Sequence, residues 1–360
     1  MTDLSDLPIR DDLRGRTAYG APQEDVPVLL NVNENAYTVP ENVAQDILRR
    51  ISEVISQLNR YPDREFTQLR EAFAAYLGHG LAAENIWAAN GSNEVLQHIF
   101  QAFGGPGRRV LGFSPTYSMY PLLASGTGSE WMTAERDDNF ELAPATATAA
   151  VRTLDPDIVV LCTPNNPTGT PLSIETVDAV YRAARGIVIV DEAYAEFLEP
   201  GTPSALSLLT GRKRLVVSRT MSKAFAFAGT RVGYLAADPA VTDALRLVRL
   251  PYHLSAITQA AALGALAHAD EMLAMVSRIR VQRDRLLTEL AELGYAPHRS
   301  GGNFVLFGNV ADPHATFEAL LAQGILVRDV GIPHHLRVTA GTEAETTIFL
   351  SALASLGRPS

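Results

Sequence analysis

Apolar runs that each end in a polar side chain constrain the fold of this chain more than any other feature. Residues 158–161 and 187–190 are Ile, Val or Leu throughout, as expected of strands that are buried on both faces of a sheet. Stretches with helical spacing, such as 40–58 and 66–77, alternate with such runs. This alternation predicts an α/β fold with a mainly parallel central sheet and helices on both faces.

The length of the chain predicts more than one domain. Its 360 residues are more than one compact core usually holds. Prolines and glycines interrupt residues 1–34, which we expect to form an N-terminal arm. We place a large domain at 35–245 and a smaller α/β C-terminal domain at 246–360, where short strands are predicted around a helix at 315–323.

Composition excludes several classes of protein. A net charge of −10 argues against a nucleic-acid-binding surface, which needs clustered basic residues. The single cysteine, Cys162, excludes an internal disulfide framework and fits a reducing cytosol, so we expect a cytoplasmic protein. We expect neither a signal peptide nor a membrane span. His334 and His335 stand together in a predicted loop, but nothing around them has the spacing of metal ligands, so we predict no metal site.

Polar side chains follow the predicted strands at the points where the strands end. The carboxyl ends of parallel strands border the crevice in which open α/β sheets bind ligands, so we expect these side chains to meet there. A carboxylate at the end of a hydrophobic strand is costly to bury without a partner, which favours a functional role. Core packing is the alternative explanation for Tyr117, and turn geometry is the alternative for Asn166. The side chains are those of Ser92, Tyr117, Asn166, Asp191, Tyr194 and Lys223.

Lys223 lies in the segment 218–231, between an apolar run and a series of small apolar residues. Desolvation would lower the pKa of this amine and make it a usable nucleophile. Thr220, Ser222 and Arg231 offer the donors that a phosphate requires. An aldehyde cofactor that carries a phosphate, such as pyridoxal 5′-phosphate (PLP), would need both kinds of group. The alternative is a surface lysine at the start of a helix.

Three motifs resemble those of the PLP-dependent aminotransferases of fold type I. They are Pro-Asn-Asn-Pro-Thr-Gly at 164–169, Asp-Glu-Ala-Tyr at 191–194, and Ser222-Lys223 followed by Arg231. Over nearly its whole length the chain is similar, more narrowly, to the histidinol-phosphate aminotransferase family. Further matching segments lie at 19–22, 33–35, 60–62, 90–94, 251–255 and 303–304. Ala36 departs from the family, which commonly has proline at this position.

The resemblance implies a role for each cofactor-binding residue. Lys223 would bind PLP covalently and then transfer a proton, while Asp191 would pair with the pyridine nitrogen and keep it protonated. Asn166 and Tyr194 would bind the ring oxygen, and Tyr117 would stack on the ring. Tyr61 of a second subunit would reach the phosphate, which implies a homodimer with its sites at the interface. The other phosphate ligands would be the backbone N–H groups of Ser92 and Asn93 and the side chains of Thr220, Ser222 and Arg231.

The resemblance also implies how the substrates are bound. Arg337 would bind the α-carboxylate of glutamate in one half-reaction and the phosphate of histidinol phosphate in the other. Arg328, together with Tyr19 from the partner's arm, would assist, and Asn33 and Asn166 complete the substrate-binding set. For Arg328 the alternative is a solvent-exposed ion pair with Asp329 or another neighbour.

The resemblance leads us to expect an aminotransferase that converts L-histidinol phosphate and 2-oxoglutarate to imidazole acetol phosphate and L-glutamate, a step of L-histidine biosynthesis. One alternative is a transaminase with phenylalanine, tyrosine or tryptophan as the donor. Another is a PLP-dependent lyase that decarboxylates a phosphorylated amino acid. The effector domain of a transcription regulator is disfavoured, because no basic DNA-binding segment precedes the α/β core. Neither nucleic acid nor membrane is an expected partner.

Overall fold

A computed structural model of the protein describes residues 6–15, 18 and 20–357. Its strands are β1 (Val28–Leu29), β2 (Ile86–Ala89), β3 (Arg109–Ser114), β4 (Glu130–Glu135), β5 (Ile158–Cys162), β6 (Ile187–Asp191), β7 (Leu215–Thr220), β8 (Gly233–Ala237), β9 (Ala296–Pro297), β10 (Phe304–Gly308), β11 (Ile325–Leu326) and β12 (Leu336–Thr339). Its α-helices are α1 (Glu41–Ile55), α2 (Thr67–Leu77), α3 (Ser92–Phe103), α4 (Met119–Gly126), α5 (Pro144–Leu154), α6 (Ile174–Ala183), α7 (Pro239–Arg246), α8 (Ala256–Ala267), α9 (Ala269–Glu292), α10 (Pro313–Leu321) and α11 (Glu343–Ser355).

The central sheet of the described chain has seven strands in the order β2-β8-β7-β6-β5-β3-β4. Strand β8 runs antiparallel to both of its neighbours, and the remaining pairs are parallel. The prediction of an α/β fold with a mainly parallel sheet and flanking helices is confirmed. The antiparallel direction of β8 was not predicted.

The middle of this sheet is apolar because both of its faces are covered. Every residue of β5 and of β6 is buried, which explains the uninterrupted Ile, Val and Leu runs in these strands. Each strand continues one residue beyond its apolar run, so that Cys162 and Asp191 pair across the sheet. On the other side Asp191 pairs with Ser218 of β7. The register therefore places these three side chains at the carboxyl edge of the sheet.

The C-terminal part of the chain contains a second, antiparallel sheet in the order β12-β10-β9, against which the long helix α9 packs. Strand β1 pairs in parallel with β11, so a segment of the predicted arm is attached to this part. The ladder covers only Val28–Leu29, and further along the chain the amide of Asn33 donates to Thr339 Oγ1. The division of the chain at residues 34 and 245 stays a prediction.

Within residues 6–15, 18 and 20–357, no helix is both long enough and apolar enough to cross a bilayer. The same ranges contain no group of three or more His, Cys, Asp or Glu side chains that could hold a metal ion.

Candidate active site

A cleft with a volume of about 610 Å³ lies at the carboxyl edge of the central sheet. It is bordered by the ends of β6 and β7, by the start of α3, and by side chains from the C-terminal part of the chain. Of the predicted site residues that the structure describes, all except Tyr61 line it. They are Asn33, Ser92, Asn93, Tyr117, Asn166, Asp191, Tyr194, Thr220, Ser222, Lys223, Arg231, Arg328 and Arg337.

Lys223 brings a half-buried amine to this cleft. Its Nζ donates a hydrogen bond of 2.9 Å to the carbonyl oxygen of Val32. Burial lowers the pKa of Lys223 to about 8, and the nearby cations Arg337 and Arg231 act in the same direction against the opposing effect of Glu34. A substantial fraction of the amine is therefore neutral near pH 8, as a nucleophile or a proton acceptor requires.

Asp191 places a buried carboxylate in the same cleft. The residue is 2% exposed, and its oxygens accept hydrogen bonds from Tyr120 Oη at 2.7 Å and Ser218 Oγ at 3.1 Å. Burial raises the pKa of Asp191, while these hydrogen bonds oppose the rise. Among the described residues it forms no ion pair, so the site holds a desolvated carboxylate that a cationic ring nitrogen would neutralise.

The start of α3 and the segment after β7 form an anion cradle. Gly91 precedes the helix at φ +86°, and a Cβ at this position would lie 2.4 Å from Arg231 Nη2, so the arginine can approach the helix start only because residue 91 is glycine. Ser222 Oγ accepts hydrogen bonds from Thr220 Oγ1 at 3.0 Å and Arg231 Nη1 at 3.4 Å. Helix N–H groups, hydroxyls and a guanidinium together fit a phosphate.

Polar side chains surround the hydroxyl of Tyr194. It accepts hydrogen bonds from Asn33 Nδ2 at 3.0 Å and from Asn166 Nδ2 at 3.4 Å. Burial raises the pKa of Tyr194 above its ordinary value, so this phenol stays protonated and keeps a proton to donate. Tyr117 Oη donates to Asn93 Oδ1 at 3.3 Å, which ties the aromatic ring to the start of α3.

Two arginines reach the cleft from the C-terminal part of the chain. Arg328 and Arg337 are bridged by reciprocal backbone hydrogen bonds of 3.0 and 2.9 Å. Arg337 Nη1 donates to Asn166 Oδ1 at 2.6 Å, and Nη2 donates to the carbonyl oxygen of Asn31 at 2.7 Å. Within the described ranges, no carboxylate lies within ion-pair distance of the Arg328 guanidinium, and this includes the neighbouring Asp329. The Asp329 carboxylate instead accepts from the amide of Gly331.

One predicted residue, Tyr61, does not line the cleft of its own chain. Tyr61 is 80% exposed, and its ring stacks on Tyr252 with a centroid distance of 4.4 Å, away from the cleft of its own chain. Its contact with the phosphate depends on a second subunit and stays a prediction. Tyr19 lies outside the described residues.

Tyr120 and Ser218, whose side chains donate to Asp191, were not predicted as site residues. Tyr120 lies one helical turn after Tyr117, at the start of α4, so the helical spacing after Tyr117 could have indicated it. Ser218 follows the apolar run in the sequence, but β7 continues to Thr220 and pairs Ser218 with Asp191.

The sequence and fold also match known proteins. The profile of the family described as aminotransferase class I and II matches residues 26–353. A relative from Paenarthrobacter aurescens named histidinol-phosphate aminotransferase is 62% identical, and the match covers 98% of this chain and 96% of the relative. A relative of the same name from Thermobifida fusca is 56% identical over 97% of this chain and 95% of its own length.

Two solved structures illustrate the shared fold. Histidinol-phosphate aminotransferase from Sinorhizobium meliloti, in complex with pyridoxal-5′-phosphate, has a TM-score of 0.82 at 24% identity over 92% of each chain. Aspartate aminotransferase from Thermus thermophilus with maleate has a TM-score of 0.79 at 26% identity, also over 92% of each chain. The chain therefore belongs to the class I and II aminotransferase family and, within it, to the histidinol-phosphate aminotransferases.

Proposed function

We propose that the protein is a PLP-dependent aminotransferase that transfers an amino group reversibly between L-histidinol phosphate and 2-oxoglutarate, giving imidazole acetol phosphate and L-glutamate in L-histidine biosynthesis. The observation that carries this proposal is the meeting of three groups in one cleft. These are the amine of Lys223, the buried carboxylate of Asp191 and the anion cradle at the start of α3. The names of relatives 50–62% identical to this chain support the substrate.

The residues of the cleft fit PLP. Asp191 would hold the ring nitrogen, Tyr194 and Asn166 the ring oxygen, and Tyr117 the ring face. The phosphate would be held by Ser92, Asn93, Thr220, Ser222 and Arg231. When bound, PLP supplies an electron sink that stabilises the negative charge left at the substrate Cα when its proton is removed.

Lys223 would be both the point of covalent attachment and the proton carrier. Because burial lowers the pKa of Lys223 to about 8, its Nζ can accept a proton from the substrate Cα and release it again near neutral pH. The hydrogen bond to Val32 fixes the position of this nitrogen. A fixed donor and acceptor reduces the entropy that each proton transfer would otherwise cost.

Arg337 and Arg328 would bind the anionic groups of the two substrates. Asn166 and the carbonyl of Asn31 hold the Arg337 guanidinium, so its donors are oriented before a substrate enters. A carboxylate and a phosphate both match the planar guanidinium, which explains how one site could serve glutamate and histidinol phosphate. Asn33, and Tyr19 of the second subunit, would complete the pocket.

We also propose a homodimer in the cytoplasm, with neither nucleic acid nor membrane as a partner. Tyr61 is 80% exposed, and Leu247 and Leu250 are 86% and 76% exposed. Apolar side chains this exposed favour a surface that another subunit covers. In the dimer Tyr61 would reach the anion cradle of the second subunit. The single cysteine fits a cytoplasmic location, and the net charge of −10 fits a protein without a nucleic-acid partner.

The test is a comparison of amino donors. The purified protein, loaded with PLP, is given L-histidinol phosphate or L-phenylalanine as donor with 2-oxoglutarate, and formation of glutamate is measured. We expect kcat/KM for histidinol phosphate to be higher by about 100-fold or more, since a site built for an anionic phosphate leaves its cations unpaired with phenylalanine. A preference for phenylalanine, or release of carbon dioxide, contradicts the proposal.

A second lysine provides the control for the role of Lys223. The sequence contains two lysines, Lys213 and Lys223. Lys213 is exposed and lies just before β7. Lys223→Ala should abolish turnover with both donors, and Lys213→Ala should leave it unchanged.

A further inference from the structure

Tyr120 is a buried tyrosine whose hydroxyl contacts an acidic residue of the candidate active site. It lies in the first turn of α4 and is 0% exposed. Its Oη donates a hydrogen bond of 2.7 Å to Asp191 Oδ2. Packing alone does not require this hydroxyl, because phenylalanine would fill the same space.

The ring of Tyr120 is fixed by aromatic neighbours. Tyr117 contacts it edge-on at 5.5 Å between centroids, and Trp131 lies on another side at 6.5 Å. Trp131 fits there because residue 112 is glycine, whose added Cβ would lie 2.3 Å from the indole Cη2. The tyrosine therefore presents its hydroxyl to Asp191 in one orientation, and the start of α4 places Tyr117 and Tyr120 together.

The backbone amide of Ala193 also donates to the Asp191 carboxylate, but no second side chain of the described residues donates to Oδ2. Ser218 from β7 donates to the opposite oxygen, Oδ1. Cys162 from β5 is a neutral thiol, since burial raises its pKa to about 12. The carboxylate of Glu192, the next residue along the chain, pairs with Arg219 at 2.7 Å. Lys223 lines the same cleft but makes its hydrogen bond to Val32. Tyr120 is thus the side-chain donor to Asp191 Oδ2.

We propose that Tyr120 is a positioning residue that orients the Asp191 carboxylate and holds it ionised for the cationic nitrogen of the cofactor ring. This inference rests on the role proposed above for Asp191. A hydrogen bond to the charged form of a buried acid stabilises that form, and donors to charged groups are the stronger ones. Without Tyr120 Oη, Oδ2 would lose this donor in a site from which water is largely excluded.

The experiment measures PLP binding by the apoenzyme, not turnover. Apo forms of wild type, Tyr120→Phe and Tyr234→Phe are titrated with PLP between pH 6 and 9, and bound cofactor is followed by its near-visible absorbance. Tyr234 is the matched control, since it is also 0% exposed and its hydroxyl has no hydrogen-bond partner in the described part of the chain. Thermal unfolding of each apo form checks that the fold is kept.

We expect Tyr120→Phe to weaken PLP binding about tenfold at pH 7, the size of effect typical of a hydrogen bond to a charged group. The loss should grow as the pH falls, because the carboxylate then takes up a proton at a higher pH than in wild type. Tyr234→Phe should bind PLP as wild type does. A purely structural role of Tyr120 would instead weaken binding by the same factor at every pH, and that result overturns the inference.

Asp191→Asn distinguishes this inference from the assignment on which it rests. If Asp191→Asn loses PLP affinity and Tyr120→Phe keeps wild-type affinity at all pH values, the role of Tyr120 is wrong and that of Asp191 stands. If Asp191→Asn also binds PLP like wild type, both assignments are wrong.

Discussion

Replacement of Lys223 by methionine should stabilise the apoenzyme, because the wild-type site holds a partly desolvated cation. The difference between the ordinary pKa of 10.5 and about 8 corresponds to about 3 kcal/mol at 1.36 kcal/mol per pKa unit. Lys223 borders an open cleft, and solvent screening reduces this value to about 1–2 kcal/mol. At about 2.1 cal/mol/K per residue over 360 residues, this predicts a rise in Tm of about 1–3 °C.

The stabilisation by Lys223→Met depends on pH. Below pH 8 the lysine is charged in both the folded and the unfolded chain, so the folded state carries the whole desolvation cost. Between pH 8 and 10.5 the folded chain releases its proton first, and its stability rises relative to the variant. The advantage of Lys223→Met should therefore be full at pH 7 and fade towards pH 10.5.

Differential scanning calorimetry of the apo forms at pH 7 and pH 10 measures both quantities. Lys213→Met, at an exposed position, is the control and should leave Tm unchanged. A variant Lys223→Met that is no more stable than wild type at pH 7, or whose advantage is the same at both pH values, would refute this account of the amine.

Two further substitutions test the binding of substrate anions by Arg337 and the role of the anion cradle. Arg337→Ala should raise KM for histidinol phosphate by about 30-fold or more, since truncation of a buried charge partner typically costs about 2–5 kcal/mol. The exposed Arg299→Ala is its control. If steady-state assays give Arg337→Ala the same KM for histidinol phosphate as wild type, the proposed role of Arg337 is contradicted. Gly233→Ala should weaken PLP binding about 10- to 100-fold, because the added Cβ would lie 2.2 Å from the backbone nitrogen of Ser92 and must displace the start of α3. Gly126→Ala, whose Cβ meets open space, should bind PLP normally in the same titration.

The central strands could be predicted because their physical signal is local. Strands β5 and β6 are buried on both faces, which demands apolar side chains at every position, and their ends are marked by a change to polar residues. That change also located Asp191. Because the carboxyl ends of parallel strands lie at the same edge of the sheet, the predicted residues could be placed in one cleft.

Other features depend on contacts between distant segments, which the local pattern does not contain. The spacing after Tyr117 marks Tyr120 as a candidate, but only the fold shows that its Oη reaches Asp191 at the end of β6. Strand β1 is two residues long, and beyond it the carbonyl of Leu30 accepts from the amide of Thr339 while the amide of Asn33 donates to Thr339 Oγ1. The number of lysines could have supported the assignment of Lys223, because Lys213 and Lys223 are the two lysines of the sequence and thus the two candidates for a lysine nucleophile.

The most direct test of the central claim is to locate the bound cofactor on the chain. The holoenzyme is reduced with borohydride, digested and mapped by mass spectrometry, with Lys223→Ala and Lys213→Ala treated in parallel. The account predicts the cofactor mass on the peptide that contains Lys223 in wild type and Lys213→Ala, and no adduct in Lys223→Ala. An adduct on Lys213, or none in wild-type protein that turns over substrate, would contradict it.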